Sequence, residues 1–306
     1  MSTVTLRVAA VMIASIMVFV TIGVNAAAIT FNTALPVAKG AFVIREQLMV
    51  RRFKNDLSPM DRDLNVNALI SVLGYGINAK FALFAAVPYF DKSLDLTAMS
   101  QQFTRSTRGV GDSKLFARYT FLQHDERSKT FRIAGFGGFK APTGNDNKID
   151  RLGRLPLTLQ SGSGAWDYFA GIVMTYQTLD YQIDSQLSYS QKGTTNNFRA
   201  GNEARADISF QYRLSPQQLS SDTHSFLYCV LEANLINLNN NRLLVNNNAI
   251  NDANSGGTTL YLTPGIQYVT MKYILEAAVQ VPVIQNLNGS ALATDYIFTT
   301  GFRVNF

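Results

Sequence analysis

The sequence predicts an all-β chain: a closed antiparallel transmembrane β-barrel of about twelve strands, preceded by a cleaved signal peptide. Three observations predict it. The 306 residues are 47% hydrophobic and only 16% charged, yet no long apolar run occurs beyond the N-terminus. From residue 41 onward, side-chain character alternates with period 2 rather than 3.6. The connections between alternating segments are long and polar on one side and mostly short on the other, as in outer-membrane barrels. The apolar and aromatic content excludes disorder. The single Cys excludes a disulfide framework. Without repeated runs of roughly 20 apolar residues, a polytopic helical membrane protein is excluded as well. A soluble β-sandwich is the fold-level alternative, but it has no reason to sort its loop lengths by parity.

Taken in order, residues 1–28 read as a signal peptide. Arg7 supplies the positive region, Val8 to Val24 the apolar region, and Val24-Asn25-Ala26 a small-residue cleavage site. Residues 29–40 form a short periplasmic segment. It is too short for a plug domain, so occlusion of the lumen is expected from inward loops such as 142–165. The barrel then occupies 41–306, with strands near 41–53, 64–76, 79–90, 109–122, 130–141, 166–177, 180–191, 202–214, 225–237, 258–269, 272–284 and 294–306.

The alternation is clearest in the eighth and twelfth segments. Ala204, Ala206, Ile208, Phe210 and Tyr212 oppose Glu203, Arg205, Asp207, Ser209, Gln211 and Arg213. Tyr296, Phe298, Thr300, Phe302, Val304 and Phe306 oppose Ile297, Thr299, Gly301, Arg303 and Asn305. The first segment departs from the pattern, because Glu46 shares a face with Phe42, Ile44, Leu48 and Val50; a bulge or a different boundary would explain it. Pro88, Pro264 and Pro282 fall inside strands, and each removes a ladder donor. The long connections are 54–63, 91–108, 142–165, 192–201, 238–257 and 285–293, and an even strand count places both termini in the periplasm.

By parity the lumen-facing charges include Lys114, Arg118, Arg132, Lys140, Asp167, Asp184, Glu203, Arg205, Asp207, Arg213, Glu232, Glu276 and Arg303. Two readings stand for them: they line and tune a selective passage, or they pair across strands and fill the interior. Trp166, Tyr89, Tyr119, Tyr168, Tyr176, Tyr189, Tyr212 and Tyr296 lie near strand ends and read as interfacial girdles. The formal charge of +6 is dispersed over alternate faces, without the basic stripe that nucleic acid requires.

No enzyme chemistry is expected, and so no catalytic residue. His124 and His224 both fall in short turns, away from any nucleophile-and-orienter set. No metal-ligand or cofactor motif is present, so neither metal nor cofactor is expected. Gly162-Ser163-Gly164 lacks the Lys and helix of a phosphate loop and reads as a flexible lead into the sixth strand. Cys229 lies on an apolar face among Leu227, Val230 and Leu231.

Two resemblances add to this reading. The end of the chain, with Phe298, Phe302, Val304 and Phe306, resembles the terminal signature of bacterial outer-membrane barrels, which implies recognition by the barrel-assembly machinery. Three blocks resemble, in this order, the barrel family named for the MetA pathway of phenol degradation. They are Gly109-Val110-Gly111-Asp112 with Leu115, Arg118, Tyr119 and Phe121, then Lys140-Ala141-Pro142-Thr143-Gly144, then Leu159 to Asp167. That resemblance implies an outer-membrane barrel that passes small hydrophobic or aromatic solutes. The expected surroundings are outer-membrane lipid and the assembly machinery, with the oligomeric state open. Transport is one function; a structural or surface-interaction barrel, with a closed lumen and partner-binding extracellular loops, is the other.

Overall fold

The computed structural model describes residues 26–98, 100–219, 223–245 and 248–306. Among them no helix occurs, and twelve strands close into one barrel. The crossings are β1 Phe42–Lys54, β2 Asp63–Gly76, β3 Phe81–Ala98, β4 in two pieces (Gln101–Val110 and Ser113–Asp125), β5 Lys129–Ala141 and β6 Asp167–Thr178. They continue with β7 Tyr181–Gln191, β8 Glu203–Ser215, β9 Ser225–Leu238, β10 Gly257–Thr270, β11 Tyr273–Leu287 and β12 Ala293–Asn305. Each strand pairs antiparallel with its sequence neighbour, and β1 closes on β12 from Val43↔Asn305 to Lys54↔Ala293. Closure leaves no strand edge facing hydrocarbon. The expected signal peptide falls on residues 1–25, outside the described residues, apart from Ala26–Ala28.

The period-2 code sets which way each side chain points. Along β8, Asp207, Ser209, Gln211 and Arg213 are buried toward the lumen, while Ile208, Phe210 and Tyr212 face outward. Leu69, Leu73, Leu115, Ile172, Leu231, Leu262, Ile266 and Leu275 continue the exposed apolar surface around the wall. Tyr89, Trp166, Tyr168, Tyr189 and Tyr296 border it at the extracellular ends, and Tyr119 and Tyr212 at the periplasmic ends. An apolar belt between aromatic girdles is the surface a bilayer requires, and it places this barrel in a bacterial outer membrane.

Three local departures have physical causes. Glu46 is neither bulged nor misassigned: the β1–β12 register runs unbroken through Glu46↔Phe302 and shifts only between Arg52 and Phe53. Its carboxylate faces outward and accepts a hydrogen bond from Ser71 Oγ at 2.7 Å. The prolines interrupt their ladders locally. Beside Pro264 the β10–β11 pairing skips from Leu262↔Val281 to Gly265↔Ala278, and beside Pro282 the register shifts by one residue. Finally, most of the stretch 91–108 expected as a loop is strand. β3 runs to Ala98 and pairs with β4 from Tyr89↔Val110 to Ala98↔Gln101, a ribbon standing above the bilayer. Water on both faces there removes the apolar side of the pattern while the pairing continues.

A smaller extracellular sheet joins two long connections, with Thr194–Thr195, Phe198–Arg199, Arg242–Val245 and Asn248–Asn251 paired in that order.

Candidate functional site

The lumen is crossed by the chain's own N-terminal segment. Residues 26–36 were expected in the leader and the periplasm; the structure instead places them inside the barrel. Ala26, Ala27, Ala28, Ile29, Phe31, Ala34 and Leu35 are all buried. The strap rises from the periplasmic rim near Ala41, crosses the bore at Ile29–Asn32 and descends to Ala26. There Ala26 packs on Val269 and Ile274 at the periplasmic ends of β10 and β11. Small side chains let an extended backbone fit between the walls, and that backbone must find hydrogen-bond partners in place of water.

The polar wall supplies most of those partners, joined by Arg45 and Gln47 of β1, Arg118 of β4 and Thr175 of β6. Glu232, fully buried, accepts from Ile29 N at 2.7 Å, Thr30 N at 3.2 Å and Thr30 Oγ1 at 2.5 Å. Gln186 Oε1 accepts from Asn32 N at 3.3 Å, and Thr175 Oγ1 accepts from Ala34 N at 2.9 Å. Gln267 bonds both N and O of Ala27. Arg45 Nη2 donates to Ile29 O at 2.7 Å, and Gln47 Nε2 donates to the same carbonyl at 3.1 Å. Arg118 donates to Thr33 O and Leu35 O, each at 2.6 Å. Behind these contacts Asp184, Asp207, Ser209, Gln211, Asn234 and Gln280 interlock in a buried polar network across β7–β11.

The opposite wall is apolar. Inward-facing Phe84 and Phe116 stack at 4.8 Å, Phe116 meets Phe169 edge-on at 5.9 Å, and Arg118 lies 5.0 Å over Phe84. Phe136, Phe169, Ala134 and Val173 close around Ala34 of the strap. The bore is therefore two-sided, aromatic on β3–β6 and polar on β7–β12.

All thirteen predicted lumen charges stand on the inner wall, and most of them pair. Arg205 bonds Asp207 at 2.9 Å, Lys140 bridges Asp112 at 2.9 Å and Asp167 at 3.0 Å, Arg132 bonds Asp125 at 2.8 Å, and Arg213 bonds Asp180. Glu276 takes Arg45, a residue absent from the expected set although its parity placed it inward. Arg303 and Asp184 sit below and beside the strap, and Glu203 and Lys114 line the space above it. The inward aromatic row was also not anticipated. Its signal was available: Phe116 lies between Lys114 and Arg118, and Phe169 follows Asp167 at the same parity.

The strap floors an extracellular cavity of about 550 Å³; spaces of about 170 and 450 Å³ lie on its periplasmic side. Loop 142–165 folds over the upper cavity, with Leu155, Leu159 and Gln160 buried, but the bore is crossed by the N-terminal strap and not, as expected, closed by inward loops alone. What fastens it is Asp112, in the two-residue interruption of β4. Its carboxylate accepts from Gly144 N at 3.0 Å, Ser163 N at 2.9 Å and Ser163 Oγ at 2.6 Å, besides Lys140. Gly162 and Gly144 touch backbone to backbone: a Cβ on Gly162 would lie 2.3 Å from the Gly144 carbonyl carbon. Gly162–Gly164 is thus a fixed clasp and not a flexible lead. His124 bonds Glu126 in a periplasmic turn, and Cys229 is exposed on the outer face.

The closed wall, lipid-facing belt and strapped two-sided lumen define a bacterial outer-membrane β-barrel. The three blocks singled out in the sequence meet in the Asp112 clasp, and the profile of one family spans all of them. The chain belongs to the family described as "Putative MetA-pathway of phenol degradation", which matches residues 55–283. Among solved structures, the chain is similar to the COG4313 outer membrane channel from Pseudomonas putida F1, with 16% identity, 90% of this chain and 97% of that chain covered, and a TM-score of 0.62. It is also similar to the β domain of the Bordetella autotransporter BrkA, with 13% identity, 88% and 100% covered, and a TM-score of 0.45. No curated protein matches the chain.

Proposed function

We propose that this chain is a passive channel carrying small hydrophobic or aromatic compounds across the outer membrane, held shut at rest by its strap. The observation that carries this reading is the inward row Phe84, Phe116 and Phe169 opposite a polar wall. A barrel built only as a support has no need of an aromatic track beside a water-accessible cavity. The P. putida barrel of the same architecture is named as a channel, and the family name points to phenol breakdown. Both agree with this assignment. Passage is energetically downhill, since no nucleotide-binding motif is visible in the sequence, and it requires the strap to move. Planar-bilayer recordings test it. The full chain is expected to give rare or small openings, and a chain lacking residues 29–36 frequent large ones. Silence from both would sink the channel reading.

A second reading is favoured by one observation: the strap fills the bore while the extracellular sheet leaves Asn248–Asn251 as an open edge strand. In that reading the loops bind a partner, and removing residues 240–255 abolishes binding without changing conductance.

A further inference from the structure

We infer that the extracellular cavity above the strap is a binding site for an aromatic carboxylate, an inference that rests on the channel reading and narrows its solute class. The cavity is lined by Arg45, Lys114, Lys140, Lys192 and Arg205 against Asp167 and Glu203. The carboxylates that neutralise these cations lie behind them. Asp207, Glu276, Asp112 and Asp167 are each less than a tenth exposed, and they are bonded to Arg205, Arg45 and Lys140. What a solute meets is mainly the cationic side of each pair, with Glu203 the accessible acid.

Lys114 differs from the others. Its side chain is exposed in the lumen, and among the described residues its ammonium forms no ion pair with a carboxylate. It stands 5.8 Å over the Phe169 ring, beside Phe116, while Phe136 lines the same space. An unpaired ammonium bordering three aromatic rings fits an amphipathic anion: the ring lies edge-on against Phe116 and Phe169, and the carboxylate takes the Lys114 charge. A neutral phenol fills the aromatic side alone and leaves that charge unused. An aliphatic acid takes the charge and forfeits the ring contacts.

Titration calorimetry on the detergent-solubilised full chain at neutral pH, with benzoate, phenol and acetate as probes, decides the matter. Phenol stays protonated there, because a phenolic pKa is about 10. Benzoate is expected to bind about tenfold more tightly than phenol or acetate, the scale of one charge-assisted hydrogen bond. Lys114→Gln should weaken benzoate about tenfold and leave phenol unchanged, while Lys114→Arg restores benzoate; the absent ion pair makes either substitution mild for folding. Phenol binding as tightly as benzoate, or benzoate indifferent to Lys114→Gln, would overturn the inference. Benzoate binding to a barrel silent in bilayers would overturn the channel reading alone. Phenol conductance without benzoate binding would overturn the inference alone.

Discussion

Arg45 and Glu276 form a clamp on the strap: Arg45 Nη2 lies 2.7 Å from Glu276 Oε1 and donates at the same distance to the carbonyl of Ile29. Gln47 Nε2, also on β1, bonds that same Glu276 oxygen at 2.9 Å, and Gln267 Nε2 on β10 donates to Glu276 Oε2 at 3.2 Å, so the carboxylate is held from two strands. Substituting Arg45→Met leaves Glu276 buried without its charge partner, a loss of about 3 kcal/mol. The urea midpoint in detergent is expected to fall, and bilayer openings to become more frequent. The double variant Arg45→Met with Glu276→Met should recover most of the stability but not the closed state, because the bond to Ile29 is still missing. Equal recovery of both would show that the clamp does not hold the strap.

Glu232 holds the strap apex through backbone amides, so its loss has a local signature. With Glu232→Ala, Ile29 N and Thr30 N lose a charged acceptor. Hydrogen exchange at those two amides should accelerate by about thirtyfold, corresponding to about 2 kcal/mol. Exchange in β3, which makes no contact with Glu232, should stay as it is. Unchanged exchange at Ile29 would mean that the strap is held elsewhere.

Glu46 is a carboxylate on the lipid-facing wall, with Ser71 as its hydrogen-bond donor. Removing it costs one hydrogen bond and relieves the burial of an acid beside hydrocarbon. Glu46→Leu is therefore expected to stabilise the barrel by about 1 kcal/mol, the acidic end of the range for charges on a barrel's lipid face. Urea unfolding in micelles measures it. A destabilised variant would point instead to a protein neighbour at this face.

Asp56 in the first extracellular loop accepts hydrogen bonds from Arg62 N, Nε and Nη2 and from Ser58. The Arg62 side chain is the main cause that holds its carboxyl well below the ordinary range. A depressed folded value stabilises the loop above the unfolded pKa of about 3.9, and that contribution fades only as pH falls further toward the folded value. Amide protection at Ser58 and Arg62 should therefore persist from pH 8 to about pH 4. Asp56→Asn should remove it throughout. Protection lost already near pH 6 would contradict the ion pair's role.

The sequence showed the wall more readily than the contents. Alternation in 202–213 and 294–306 places side chains because a bilayer on one face and a lumen on the other impose opposite chemistry on successive residues. The ribbon of β3 and β4 beyond Tyr89 was harder to see, since water on both sides removes that contrast. The strap was invisible for a related reason. Ala26–Ala28 read as the end of the leader, and Thr30 and Asn32–Ala34, with no period, as part of a short periplasmic segment; their partners Glu232, Gln186 and Arg45 lie on distant strands that only the closed register brings together. Pairings such as Arg45–Glu276 likewise depend on β1, β12 and β11 lying side by side.

Both described ends of the strap lie at one mouth: Ala41 is at the periplasmic rim, and Ala26 packs against the periplasmic ends of β10 and β11. In topological terms it is a loop pushed into a ring and not a string passed through a bead. The inserted segment hydrogen-bonds the wall through side chains and adds no strand to it, so emptying the bore needs no parting of the seam between β1 and β12. A strap that withdraws toward that mouth would leave the barrel wall closed behind it.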